Sequence, residues 1–283
     1  MYEWVPRFNG PLRVSPKPPF AHGAQRRMPA HPRAALAAGA IARYRWRPRS
    51  APRSCMTEAA PPAAVRVWDL PIRLFHWCLA LSVVGLVATA KVGGNAMEWH
   101  FRLGYTVFAL LLFRLLWGFA GARWSRFASF AYGLGALARH LRGTPARGDA
   151  FHVGHSPAGA LSVFALLAAL ATQLGTGLVS WDDIVQIGGP LNKYVSDATA
   201  SDALWYHEAV GQWLVIGLVL LHFAAVLFYL TVRRRNLIAP MWHGDKALAD
   251  TSLAADDGPA LRWRALALMV LSAAAVGAVV SLG

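Results

Sequence analysis

Apolar residues gather into five long stretches along the chain, near 74–90, 103–122, 158–180, 205–231 and 265–282. Each approaches the ~20 residues that a helix needs to cross the hydrocarbon core of a bilayer. One such stretch alone could be a buried core helix, but five of this length predict a membrane bundle. Polar punctuation supports the boundaries. In "GHSPAGALSV", residues 154–163, Ser156 is placed to cap a helix and Pro157 suits its first position. Trp99, Trp117, Trp124, Trp181 and Trp205 fall where interfacial belts of aromatics are expected, and Trp68 and Trp77 flank the start of the first stretch.

Charge alternates between the connections. The segment before the first stretch holds Arg66 and Arg73. The connection 123–157 holds Arg123, Arg126, Arg139, Arg142 and Arg147, and Arg233, Arg234, Arg235, Arg262 and Arg264 lie between the fourth and fifth stretches. Residues 181–203 instead carry Asp182, Asp183, Asp197 and Asp202 against Lys193, and the short link 91–99 holds Lys91 and Glu98. Basic connections face the cytoplasm, so the chain is expected to start inside, with the first, third and fifth helices running outward.

Composition agrees, with 56% hydrophobic and 15% charged residues. The formal charge of +14 is concentrated in residues 1–55, which hold eleven Lys or Arg and one Glu. That segment is rich in Pro, Arg and Ala and lacks apolar periodicity. It reads as a disordered or mis-assigned extension ahead of Met56, rather than as a nucleic-acid-binding module or a signal peptide. The expected organisation is therefore this extension at 1–55, a four-helix domain at 56–248, and a linker with a fifth helix at 249–283. Of the two cysteines, Cys55 lies in the extension, and Cys78 reads as a small buried hydrophobe in the first stretch. No CxxCH occurs, so thioether attachment of haem is excluded.

Histidines in membrane helices are costly, and four stand out: His76, His100, His207 and His222. With the expected topology, His76 and His222 lie toward the inner side and His100 and His207 toward the outer. His207 and His222 are separated by roughly 22 Å of helix rise and about 60° of rotation, so one helix presents both to broadly one face. Two axial imidazoles at each of two levels describe two stacked haem sites. Zinc would draw its ligands to one tetrahedral point. A proton relay is the stronger rival, but the first, third and fifth helices lack a buried Asp or Glu to complete one. Arg114, roughly 21 Å deeper than His100, reaches the inner level, where haem propionates would supply the anion that a buried guanidinium needs. Arg102 is placed to serve the outer haem in the same way, or to snorkel at the interface. His155, Arg73 and the basic inner loop are weak candidates for a quinone site, and His155 reads more simply as a solvated residue ahead of a helix cap.

The stretches "VRVWDLPIRLFHW", "GGNAMEWHFRLGYTVFALLLFRLLWGFAGARWSRFASF", "GHSPAGALSV" and "WYHEAVGQWLVIGLVLLHFAAVLFY" resemble the bacterial di-haem cytochrome b family. That family includes the cytochrome b561 group and the b-type subunit of nickel–iron hydrogenases, and the resemblance spans about residues 65 to 248. It implies an all-α inner-membrane bundle of four haem-binding core helices plus a fifth C-terminal helix. Two non-covalent haems b would be held, one by His76 and His222 and one by His100 and His207. It also implies electron transfer between the quinone pool and a redox partner, such as a c-type cytochrome, a hydrogenase or another dehydrogenase subunit. The alternatives are a membrane anchor for such a dehydrogenase and, in a different class, a non-redox transporter.

Overall fold

The computed structural model describes residues 63–144 and 151–283, so the 1–55 extension with Cys55, His22 and His31, as well as Met56 and Arg147, lies outside them. The described chain opens with strand β1 (Ala63–Arg66) and enters helix α1 (Leu70–Val92) through Asp69. The Asp69 carboxylate accepts the Ile72 N–H at 2.8 Å, and Pro71 occupies the first turn. Together they start the helix sharply. Gly93 and Gly94 end it with φ of 67° and 53°, a region that favours glycine, and turn the chain directly into α2 (Ala96–Ala120).

A short helix, α3 (Leu134–Arg142), precedes α4 (Pro157–Val179), whose Ser156 cap accepts the Gly159 N–H at 3.2 Å. Strands β2 (Trp181–Asp182) and β3 (Ile187–Gly188) then form a small antiparallel hairpin. Helix α5 (Asp197–Trp205) runs through a π turn at Tyr206–Gly211 into α6 (Gln212–Thr231), making one continuous span. Helix α7 (Ile238–His243), strand β4 (Asp245–Leu248) and helix α8 (Pro259–Val280) complete the chain. The five apolar spans expected from sequence are all present.

Boundaries moved where polar residues mask helical structure. The second span begins at Ala96 rather than near 103, which puts His100 well inside the helix. The fourth begins at Asp197 rather than near 205, because Ser196 caps a polar turn of helix by accepting the Thr199 N–H. The fifth begins at Pro259 rather than near 265.

Helix α1 packs along α2, α8 packs on α2, and α4 packs on α6 with a further contact between α2 and α4. Helices α1 and α6 do not close-pack. The largest apolar core is concentrated at one end of the bundle. There β1 pairs antiparallel with β4, and Val67, Phe113, Trp117, Trp124 and Val153 are buried together. Trp117 and Trp124 are therefore core residues rather than belt residues. Their indole N–H groups are met inside the protein, Trp117 by Asp69 at 3.2 Å and Trp124 by the Leu253 carbonyl at 2.7 Å. Trp99 and Trp205 are exposed as a belt requires. Cys78 corrects the sequence reading in the other direction: it lies on an exposed, outward face of α1, where neighbouring Leu74 and Leu81 are exposed as well.

The three basic connections meet at this end. Arg66 pairs with Asp245 at 2.6 Å and Asp257 at 2.5 Å, Arg123 bonds the Ser252 carbonyl, and Lys246 bonds the Val153 carbonyl at 2.5 Å. Asp69 organises the junction, with Oδ1 accepting from Ile72 and Trp117 and Oδ2 accepting from Ser125. Burial raises its carboxyl pKa despite these bonds.

Candidate functional site

The four sequence-selected histidines come together as two facing pairs. His76 on α1 and His222 on α6 have ring centroids 6.4 Å apart. His100 on α2 and His207 in the π turn have centroids 6.2 Å apart. The His100 ring lies against Leu86 of α1, ten residues beyond His76, so the two pairs are separated by roughly 15 Å of helix rise.

The two spacings fit one kind of ligand. Imidazoles bonded at about 2 Å on opposite sides of one metal ion hold their ring centres about 6 Å apart. Among the described residues, no three His, Cys, Asp or Glu side chains converge on a common point. Among the described residues each site therefore offers two imidazoles with no third His, Cys, Asp or Glu, which suits a metal whose remaining positions belong to a macrocycle. The residues present fit two bis-imidazole haems.

The pair expected on the outer side, His100 and His207, is oriented by backbone. His207 Nδ1 lies 2.9 Å from the Gln173 carbonyl, and His100 Nδ1 lies 3.1 Å from the Leu86 carbonyl. A carbonyl can only accept, so each Nδ1 carries the proton and each Nε2 is left free as a donor to metal. Gln173 of α4 also returns a hydrogen bond from Nε2 to the His207 carbonyl at 2.9 Å. That same carbonyl accepts the Gln212 N–H five residues on, which is the bond that defines the π turn. Gly177 makes room: a Cβ there would lie 2.9 Å from His207 Cε1.

The π turn changes the rotational argument. A π turn takes up one extra residue, so fifteen residues wind as fourteen would in an α-helix. The ideal offset between His207 and His222 moves from about 60° to roughly 40° on the other side. Hydrophobic periodicity carries no mark of this, though such turns recur at functional sites.

The pair expected on the inner side, His76 and His222, is different. His76 Nδ1 is buried without a hydrogen-bond partner. Also buried is Arg114, 3% exposed and stacked at 4.5 Å over the Phe127 ring, with Nη1 unpartnered. Arg102 stands apart from its expected role. It is exposed, ion-paired with Glu98 one turn earlier and set 5.1 Å over the Trp99 ring, so its charge is already matched at the interface. Arg73 donates to the Trp242 carbonyl at 2.6 Å. His155, expected to be solvated, is instead folded in against Trp68 and Phe130, with ring centroids at 4.7 and 4.4 Å and Nδ1 buried. Sequence reasoning missed Asp69, although the Asp-Leu-Pro spacing ahead of an apolar run is a helix-start signal.

Comparisons with known proteins bear on the family of the chain. The family described as prokaryotic cytochrome b561 matches residues 67–244. Relatives include a "Probable Ni/Fe-hydrogenase B-type cytochrome subunit" of Azotobacter vinelandii, 27% identical over 66% of this chain and 90% of its own length. A protein of the same description from Cupriavidus necator is 24% identical over 66% of this chain and 88% of its own length. No solved structure matches the chain. With the five spans, the family match identifies a multi-pass membrane b-type cytochrome that carries electrons on haem b, and the chain belongs to the prokaryotic cytochrome b561 family.

Proposed function

We propose that the chain binds two haems b and passes electrons across the inner membrane between the quinone pool and a nickel–iron hydrogenase-type partner. One haem would be held by His76 and His222, the other by His100 and His207. The observation that carries this reading is the pair of imidazole spacings, 6.4 and 6.2 Å, at two depths of one bundle. Bound haem supplies a one-electron site at each level. The chain's own residues do the rest: Leu86 and Gln173 fix the outer imidazoles, and the span of α5 and α6 supplies one ligand at each level. The separation along α1 divides the ~30 Å hydrocarbon core into shorter steps. The clustering of the basic connections at the inner pair supports a cytoplasmic N-terminal side. The names of the relatives support a hydrogenase partner.

Purified protein should contain two haems per chain, both extracted by acidified acetone. A ratio near one, or pigment left in the pellet, would overturn the di-haem reading. Co-purification of a hydrogenase with the native cytochrome, and haem reduction by quinol or by hydrogen through that partner, test the electron path.

A further inference from the structure

The inner end holds two orphaned nitrogen atoms that face one aromatic wall. Phe130 is 1% exposed, with the Arg114 guanidinium 5.9 Å from its ring centre and the His155 ring 4.4 Å from it. Arg114 Nη1 and His155 Nδ1 are both buried and both lack a partner. Among the described residues, no carboxylate lies within ion-pair distance of Arg114. Asp69 is the acid that acts on it electrostatically, and Asp69 is already engaged by Ile72, Trp117 and Ser125. A buried cation with no anion, beside a buried imidazole with no acceptor, is a costly arrangement unless a ligand completes it.

We propose that His155 and Arg114 together cradle one propionate carboxylate of the inner haem, with His155 as the positioning hydrogen-bond donor and Arg114 as the charge partner. The proposal rests on the assignment of that haem to His76 and His222. The two residues reach the site from separate elements, Arg114 from α2 and His155 from the turn before α4, so the carboxylate ties the two helices together. His155 enters the site as a neutral imidazole, and a bound carboxylate would raise its pKa from there. Burial, then the Arg114 and Lys246 cations, push its pKa down to about 3. A neutral donor adds no repulsion to Arg114, while Trp68 and Phe130 hold the ring in one orientation. The remaining groups acting on His155 are His76 and His222 themselves, and Lys246, itself lowered by burial to about 8, is turned to the Val153 carbonyl.

Packing and hydrogen bonding are separable. His155→Phe keeps an aromatic ring between Trp68 and Phe130 and removes the donor, whereas His155→Gln keeps a donor. Haem loss from the holoprotein to excess apomyoglobin should be biphasic, and His76→Ala identifies which phase is the inner haem. In His155→Phe the inner phase should run roughly tenfold to a hundredfold faster, as expected for loss of a hydrogen bond to a charged group. His155→Gln should stay within about threefold of wild type, a smaller change than loss of such a bond produces. The propionate bending band in resonance Raman spectra should shift in His155→Phe alone, with the outer haem unchanged. Wild-type haem loss and an unmoved band in His155→Phe would overturn the cradle and leave His155 as packing. Equal damage in the Phe and Gln variants would overturn it as well. If His76→Ala retains both haems, the inner-haem assignment falls and the cradle falls with it; if it removes one, the His155 variants judge the cradle alone.

Discussion

The two histidine pairs have nearly the same spacing, yet the protein prepares them by different means. At the outer pair both Nδ1 atoms meet main-chain carbonyls, from Leu86 and Gln173, and ligand orientation is set by the backbone. At the inner pair His76 Nδ1 meets no acceptor, and the surroundings are buried basic and aromatic side chains. A carbonyl-bonded imidazole is the stronger electron donor and favours ferric iron, while a cation beside a haem favours the ferrous state, less so the more a propionate neutralises it. The inner haem should therefore have the higher midpoint potential of the two.

The comparison breaks most severely at the ligands. His222→Ala and His76→Ala should each remove the inner haem alone, and His207→Ala and His100→Ala the outer alone, read as a halved haem-to-protein ratio and loss of one low-spin signal. Loss of the same haem from the His76 and His207 variants would refute the pairing. A smaller effect is expected from Arg114→Leu. Removing the cation should lower the inner midpoint, by on the order of 1 kcal/mol in a partly screened site, and leave the outer midpoint in place. A redox titration against wild type checks this, and unchanged midpoints with full haem content would remove Arg114 from the inner site. The finest test is Gly177→Ala. Its Cβ would crowd His207 by a contact of 2.9 Å, so the outer haem's optical band and retention should change by an amount that corresponds to about 1–3 kcal/mol of overpacking, while the inner haem remains as before.

The spans and the four histidines that face each other in pairs were legible because a bilayer imposes a length and a polarity that few sequences meet by accident. What was not legible depended on contacts distant in sequence. The β1–β4 ribbon joins segments whose own patterns are too short to read as strands. His155 looks like a loop residue until Trp68 and Phe130 close around it. Trp117 looks like a belt residue until Asp69 accepts its N–H. The polar starts of α2 and α5 were lost because apolar periodicity marks the part of a helix that lies in lipid, and Glu98, Arg102, Asp197 and Asp202 belong to turns beyond it.

The ribbon between β1 and β4 also orders events during biogenesis. Arg66 and Asp245 are 179 residues apart, about 10 to 40 s of ribosome time at roughly 5–20 residues per second. All four histidines have left the ribosome before the strap can close over the inner end. Until then the newly made bundle lacks the pairing that joins the start of α1 to the chain beyond α6, so the strap is a late contact of the fold.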